Sequence, residues 1–273
     1  MRRAAAAAAL LLAALPATAH ATDYGGGTAA SSPRGLALVS VRTAADGTAR
    51  VSVTFATRCY TVRGERTARL APDGTFALDF RVRGRVRDLP RNLRQSTRIR
   101  VSGTVAVLDG TGTVEVNARL RRDGRTVERC DPAARTWHVR ASRPLPAVAG
   151  APRPDGSYHG LTSQAAALAL RVDPSGERVR LMAFAYSLRC REGTRRWENV
   201  TPGAPVAQYA FRLRERFSFR WREGRERYRV VVDGGFGADA VTGSIAVTSV
   251  LRAPSGRVVD RCRTGPLTFF AVL

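Results

Sequence analysis

Arginine recurs at every second position in two stretches of this chain, and no other pattern in it points as directly at chemistry. In FRVRGRVRD (residues 80–88), an extended strand places Phe80, Val82 and Val86 on one face and Arg81, Arg83, Arg85 and Arg87 on the other. In FRLRERFSFRWR (residues 211–222), Phe211, Leu213, Phe217, Phe219 and Trp221 alternate with Arg212, Arg214, Arg216, Arg220 and Arg222, and Glu215 interrupts the apolar face, marking a bulge or turn. Residues two apart on a strand lie about 6.6 Å apart, a spacing close to that of the charges along an extended polyanion. Arg81, Arg83, Arg85, Arg87, Arg212, Arg214 and Arg216 are therefore the expected ligand-binding residues. The competing reading is a solvated face, because all 45 basic residues are arginine and the chain has no lysine.

Catalytic groups are scarce. Of three histidines, His20 lies in the leader, leaving His138 and His159, whose counterparts in an internal repeat are Phe270 and Gly25. A Ser-His-Asp or Cys-His arrangement kept in both halves is thereby excluded. His159, in the turn-like SYHGLT, is expected at a solvent-exposed loop. Paired carboxylates could serve glycan hydrolysis, but Glu115 faces Ala246 in the other half and Asp79 lacks a clear partner. Glu128 and Asp260 occupy one equivalent position and are expected on exposed strand surface, with the neighbouring Val127 and Val259 pointing into the core. No Cys-x-x-Cys pair and no histidine at ligand spacing accompany the cysteines, so no metal and no cofactor are expected.

The elements that must carry these residues come twice. GRTVERC (124–130) returns as GRVVDRC (256–262), Tyr24-x-Gly26-x-Thr28 as Tyr158-x-Gly160-x-Thr162, and GTGTVEV (110–116) as VTGSIAV (241–247). Gly103 and Gly235 each stand 27 residues before the second cysteine of their half. Each copy of about 115–120 residues reads as roughly eight short strands punctuated by DG, SG and GTG. The expected fold is all-β: two tandem antiparallel β-sandwich domains, jelly-roll-like or Ig-like, spanning 22–141 and 157–273. A proline-rich linker, 142–156, is expected between them as a stiff spacer. An Ig domain proper is disfavoured, because Glu128 and Asp260 replace the tyrosine expected two before the second cysteine. Trp221 is expected in the core, from its alternation with Phe219.

Residues 1–21 have the form of an export signal: Arg2 and Arg3, an apolar run from Ala4 to Leu15, Pro16, and Ala19-His20-Ala21 as a cleavage site. Export to the outside of the cell, with cleavage after Ala21, is the expectation. The formal charge of +23 less those two arginines leaves +21, a field that draws polyanions. In an exported chain four cysteines imply disulfides. Cys59 and Cys130 are 71 residues apart and Cys190 and Cys262 are 72 apart, so the repeat predicts one bridge within each copy.

The Tyr-x-Gly-x-Thr-Ser start with one cysteine mid-unit and one near its end resembles the uncharacterised secreted β-sandwich repeat proteins of high-GC bacteria. Tyr158, Gly160, Thr162, Ser163 and Gln164 fit that pattern better than the first copy, where Ala29 and Ala30 replace the Ser-Gln. The resemblance implies architecture and no activity. The functional expectation is a secreted, non-enzymatic binding protein for an anionic or carbohydrate component of the envelope, a polyanion or cell-wall glycan being the partner. No membrane span and no sequence-specific nucleic-acid contact are expected. A jelly-roll glycan-active enzyme and a structural or adhesive surface module are the alternatives.

Overall fold

The computed structural model describes residues 21–28, 36–85, 92–141, 149–191, 193–201, 203–221 and 224–273, with backbone alone for 131–133, 196–201 and 221. The leader up to His20, Arg87 and linker residues 142–148 lie outside these, as do the side chains of Trp197 and Trp221. Every element is a strand. The first unit comprises β1 (Asp23–Thr28), β2 (Ala37–Thr43), β3 (Thr48–Ala56), β4 (Thr61–Arg69), β5 (Thr75–Arg85), β6 (Leu93–Val105), β7 (Asp109–Arg122) and β8 (Arg125–Ala141). The second begins with β9 (Ser157–Thr162), β10 (Ala167–Val172), β11 (Arg178–Cys190), β12 (Gly193–Thr201) and β13 (Ala204–Ala207). It ends with β14 (Ala210–Trp221), β15 (Gly224–Phe236), β16 (Ala240–Arg252), β17 (Val258–Arg263) and β18 (Leu267–Val272).

Sequence alternation becomes sheet geometry directly. β3 buries Ala49, Val51, Val53 and Phe55 and leaves the residues between them nearer solvent. Turns are set by local chemistry: Asp123 and Gly124 both have positive φ, the pair a tight two-residue hairpin between β7 and β8 requires. All pairing is antiparallel. The first unit is one eight-stranded sheet in the order β4-β3-β2-β1-β8-β7-β6-β5. It curls until its edges meet, with the Arg66 guanidinium on β4 5.2 Å over the Phe80 ring on β5. Gly64 makes that approach possible, since a Cβ there would lie 2.5 Å from Phe80. The second unit closes by hydrogen bonds: β10 pairs with both β9 and β11, completing a ring through β18, β16, β15, β14 and β13. In each unit the opposing walls of the curled sheet enclose one apolar core, around Phe55, Ile99 and Trp137 in the first and Tyr158, Phe184 and Ile245 in the second.

Disulfides join Cys59 to Cys130 and Cys190 to Cys262, one within each unit. Closing loops of that length stabilises each unit by roughly 4 kcal/mol in a chain-entropy account. The bonds mark a chain that matures in an oxidising compartment. No helix among the described residues is long and apolar enough to cross a membrane.

The units adjoin directly. Leu36 and Leu38 of the first pack with Ala167, Ala169, Leu181 and Ala183 of the second in a separate small core. The repeated Tyr-x-Gly-x-Thr explains how the strands approach. A Cβ on Gly25 would lie 2.3 Å from the Gly160 carbonyl and the Leu161 side chain, and one on Gly26 would lie 2.9 Å from His159 Cβ. Thr28 and Thr162 use their hydroxyls to accept from the amides of Ala37 and Gln164. Of the stretch expected as a stiff spacer, the part from residue 149 is folded onto the second unit. Ala149 bridges Gly237, and the Arg153 amide donates to the Tyr158 hydroxyl at 2.9 Å.

Several expectations at single residues are corrected. His159 is on β9 and 6% exposed, because SYHGLT is a strand at the junction of the units and not a turn. Val127 and Val259 are 50% and 39% exposed, so neither faces a core. Asp260 is buried while its counterpart Glu128 stays at the surface beside Arg58, 3.6 Å away. Glu215 makes no bulge: β14 and β15 keep one register from Ala210↔Gly235 to Trp221↔Gly224. The glycine matching Gly103 is Gly234, since Gly103 faces Gly112 and Gly234 faces Gly243.

Candidate site: a duplicated arginine grid

The strand register brings together arginines far apart in sequence. Phe76, Gly103 and Gly112 lie side by side on β5, β6 and β7; Phe211, Gly234 and Gly243 do so on β14, β15 and β16. Five residues from these anchors, toward the C-terminal ends of β5 and β14, the rungs are Arg81–Arg98–Asn117 and Arg216–Arg229–Thr248. Seven residues away they are Arg83–Ser96–Arg119 and Ser218–Arg227–Val250, each with a further arginine on the next strand, Arg129 or Arg261. Nine residues away both units place arginine on all three strands: Arg85–Arg94–Arg121 and Arg220–Arg225–Arg252. These side chains share the outer face, because the alternate positions (Ile99, Val116, Val230, Val247) fill the cores.

A carboxylate limits the grid on one side in each unit. Arg98 donates to Asp79 at 2.8 Å and Arg100 pairs with both Asp79 and Glu115, at 3.4 and 3.0 Å. These contacts hold the Asp79 carboxyl at a pKa of about 2, through the Arg98 hydrogen bonds first. A carboxyl so depressed cannot serve as a general acid near neutrality. In the second unit Arg212 pairs with Asp233 at 2.9 Å. The side chains of Arg81, Arg83, Arg85, Arg94 and Arg129 form no ion pair or hydrogen bond among the described residues.

Of the residues expected from sequence, Arg81, Arg83, Arg85 and Arg216 stand on the grids. Arg212 and Arg214 lie on the same outer face of β14, one and three residues from the anchor, where the first unit carries Ala77 and Asp79. Arg94, Arg98, Arg119, Arg121, Arg129, Arg225, Arg227, Arg229, Arg252 and Arg261 are not among the residues expected from sequence. Each sits on a strand whose own alternation is visible, but which strand lies beside it depends on register. The buried acids Glu226 and Asp260 face the second core and are accounted for structurally. Ser249 donates to Glu226 at 2.6 Å, and the Arg191 and Arg261 amides donate to Asp260 at 3.1 and 2.8 Å. Arg195 reaches both acids, at 3.9 and 3.5 Å.

No family model and no curated protein matches this chain. Among solved structures, a crystal structure of a candidate AttH from Nitrosomonas europaea is similar across 91% of each chain, at 12% identity and a TM-score of 0.23. A likeness that low carries no argument about fold or function.

Proposed function

We propose that this is an exported, non-enzymatic binding protein whose two arginine grids hold an extended polyanion of the cell envelope or its surroundings. The observation that carries the reading is the rung with arginine on all three strands in both units, with no carboxylate on it. Like charges directly opposite on neighbouring strands destabilise a sheet. Three in a row, in each unit, is an arrangement that gains most from an external anion. Arginine usage alone would scatter such charges among partners; here they accumulate at one end of one face. The formal charge supplies the long-range attraction.

The test is retention of residues 22–273 on immobilised heparin and polyphosphate across a salt gradient. Replacing Arg85, Arg94, Arg121, Arg220, Arg225 and Arg252 with glutamine should move elution to clearly lower salt. Replacing Arg63, Arg69, Arg178 and Arg189, which lie off the grids, should move it little. Losses in proportion to the charges removed, six against four, would reduce the effect to net charge and sink the reading.

A further inference from the structure

Within the binding reading above, the two grids differ, and the difference points to a ligand class. In the second unit Arg220, Arg225, Arg227 and Arg252 converge with Pro254 and Gly256 of the β16–β17 turn on an open concavity of about 470 Å³. Among the described residues that line it there is no carboxylate. The Arg225 Nε is shut off from solvent and has no hydrogen-bond acceptor among the described residues, while its Nη2 donates to the Ser218 hydroxyl at 3.4 Å. Arg252 is held in place, donating to the Gly256 carbonyl at 2.8 Å. Lost hydration first, then the charges of Arg227 and Arg220, push the Arg225 pKa below its usual value. The concavity on the first unit's grid is lined by Arg81, Arg83, Arg98, Arg119 and Arg121, and there Asp79 already neutralises Arg98.

We infer that the concavity of the second unit is a discrete oxyanion seat, taking a single doubly charged tetrahedral group: a free phosphate or sulfate ion, or a terminal phosphate monoester. Four guanidinium groups lining one concavity suit such a group, which can accept from several forks at once. A diester, with one charge, satisfies it less well. The first unit's grid, partly neutralised by Asp79, would then track the length of a chain whose end the second unit holds.

The experiment is isothermal titration of residues 22–273 with inorganic phosphate, sulfate, glycerol 1-phosphate and a dialkyl phosphodiester, at ionic strength matched with chloride. Saturable binding of the first three, with the diester weaker, is expected. Arg225→Gln should weaken phosphate binding about tenfold, the scale of one charge-assisted hydrogen bond, and should raise the melting temperature of the unliganded protein by relieving repulsion. Arg252→Gln tests the same seat should the first variant fold poorly. Arg83→Gln with Arg119→Gln should leave phosphate binding unchanged while lowering polyphosphate retention. Binding of free anions but not of monoester assigns the seat to the free ion; binding of both assigns it to the shared group. Phosphate binding that is unsaturable, or equal in wild type and both single variants, overturns the seat. A wild-type protein that binds phosphate but is not retained on polyphosphate would instead overturn the polyanion reading alone.

Discussion

His159 stands where the two units meet, 6% exposed, its ring 6.0 Å from that of His138 and its Nδ1 without a hydrogen-bond partner. Burial first, then the His138 and Arg140 charges, lower its pKa from 6.5 to about 4. The folded protein therefore resists protonating a group that the unfolded chain protonates readily. Stability from the neutral imidazole is present in full above pH 6.5 and is lost as pH falls from there toward 4. The loss should reach roughly 3 kcal/mol by linkage. Urea unfolding at pH 7, 5.5 and 4.5 should show that decline, and His159→Leu should flatten it; an unchanged slope in the variant would remove His159 as the cause. Nothing local in SYHGLT announces this setting. The histidine is buried by the neighbouring unit, and a sequence shows such a neighbour only once the packing of two repeats is known.

At the scale of elements, strand alternation and turn residues were legible, since both are local. The long strands β5 to β8 follow the apolar periods of residues 75–141, and the paired cysteines follow from equal spacing in the two copies. The meaning of Tyr-x-Gly-x-Thr was not legible. Read along the chain it marks where a repeat begins; in the fold its glycines let β1 and β9 approach backbone to backbone. Gly25→Val should push against the Gly160 carbonyl and Leu161, costing about 1–3 kcal/mol as overpacking does. Thermal unfolding of the variant should be less cooperative, with the junction of the units opening first under limited proteolysis. An unshifted melting curve would show that the junction tolerates a side chain there. The arginine stripes illustrate the same limit from the other side: each strand displays its own charges, but a grid exists only in the register between strands.

For the whole molecule, the architecture places one basic outer face on each of two adjoining curled-sheet units, inside a chain whose formal charge is +23. Net charge alone predicts weak, diffuse attraction to any anion. A grid predicts a countable set of contacts. Counterion release separates the two, because each neutralised charge on a flexible polyanion adds about 0.7 to the slope of log affinity against log salt. The decisive measurement is that slope for polyphosphate binding, from 50 to 300 mM salt as working concentrations on the order of those that resolve such slopes. It should be taken for the protein and for the variant with Arg85, Arg94, Arg121, Arg220, Arg225 and Arg252 replaced by glutamine. If the grids carry binding, the variant's slope is shallower by about four and its affinity falls at every salt concentration. A variant with the parent's slope and affinity would contradict the account.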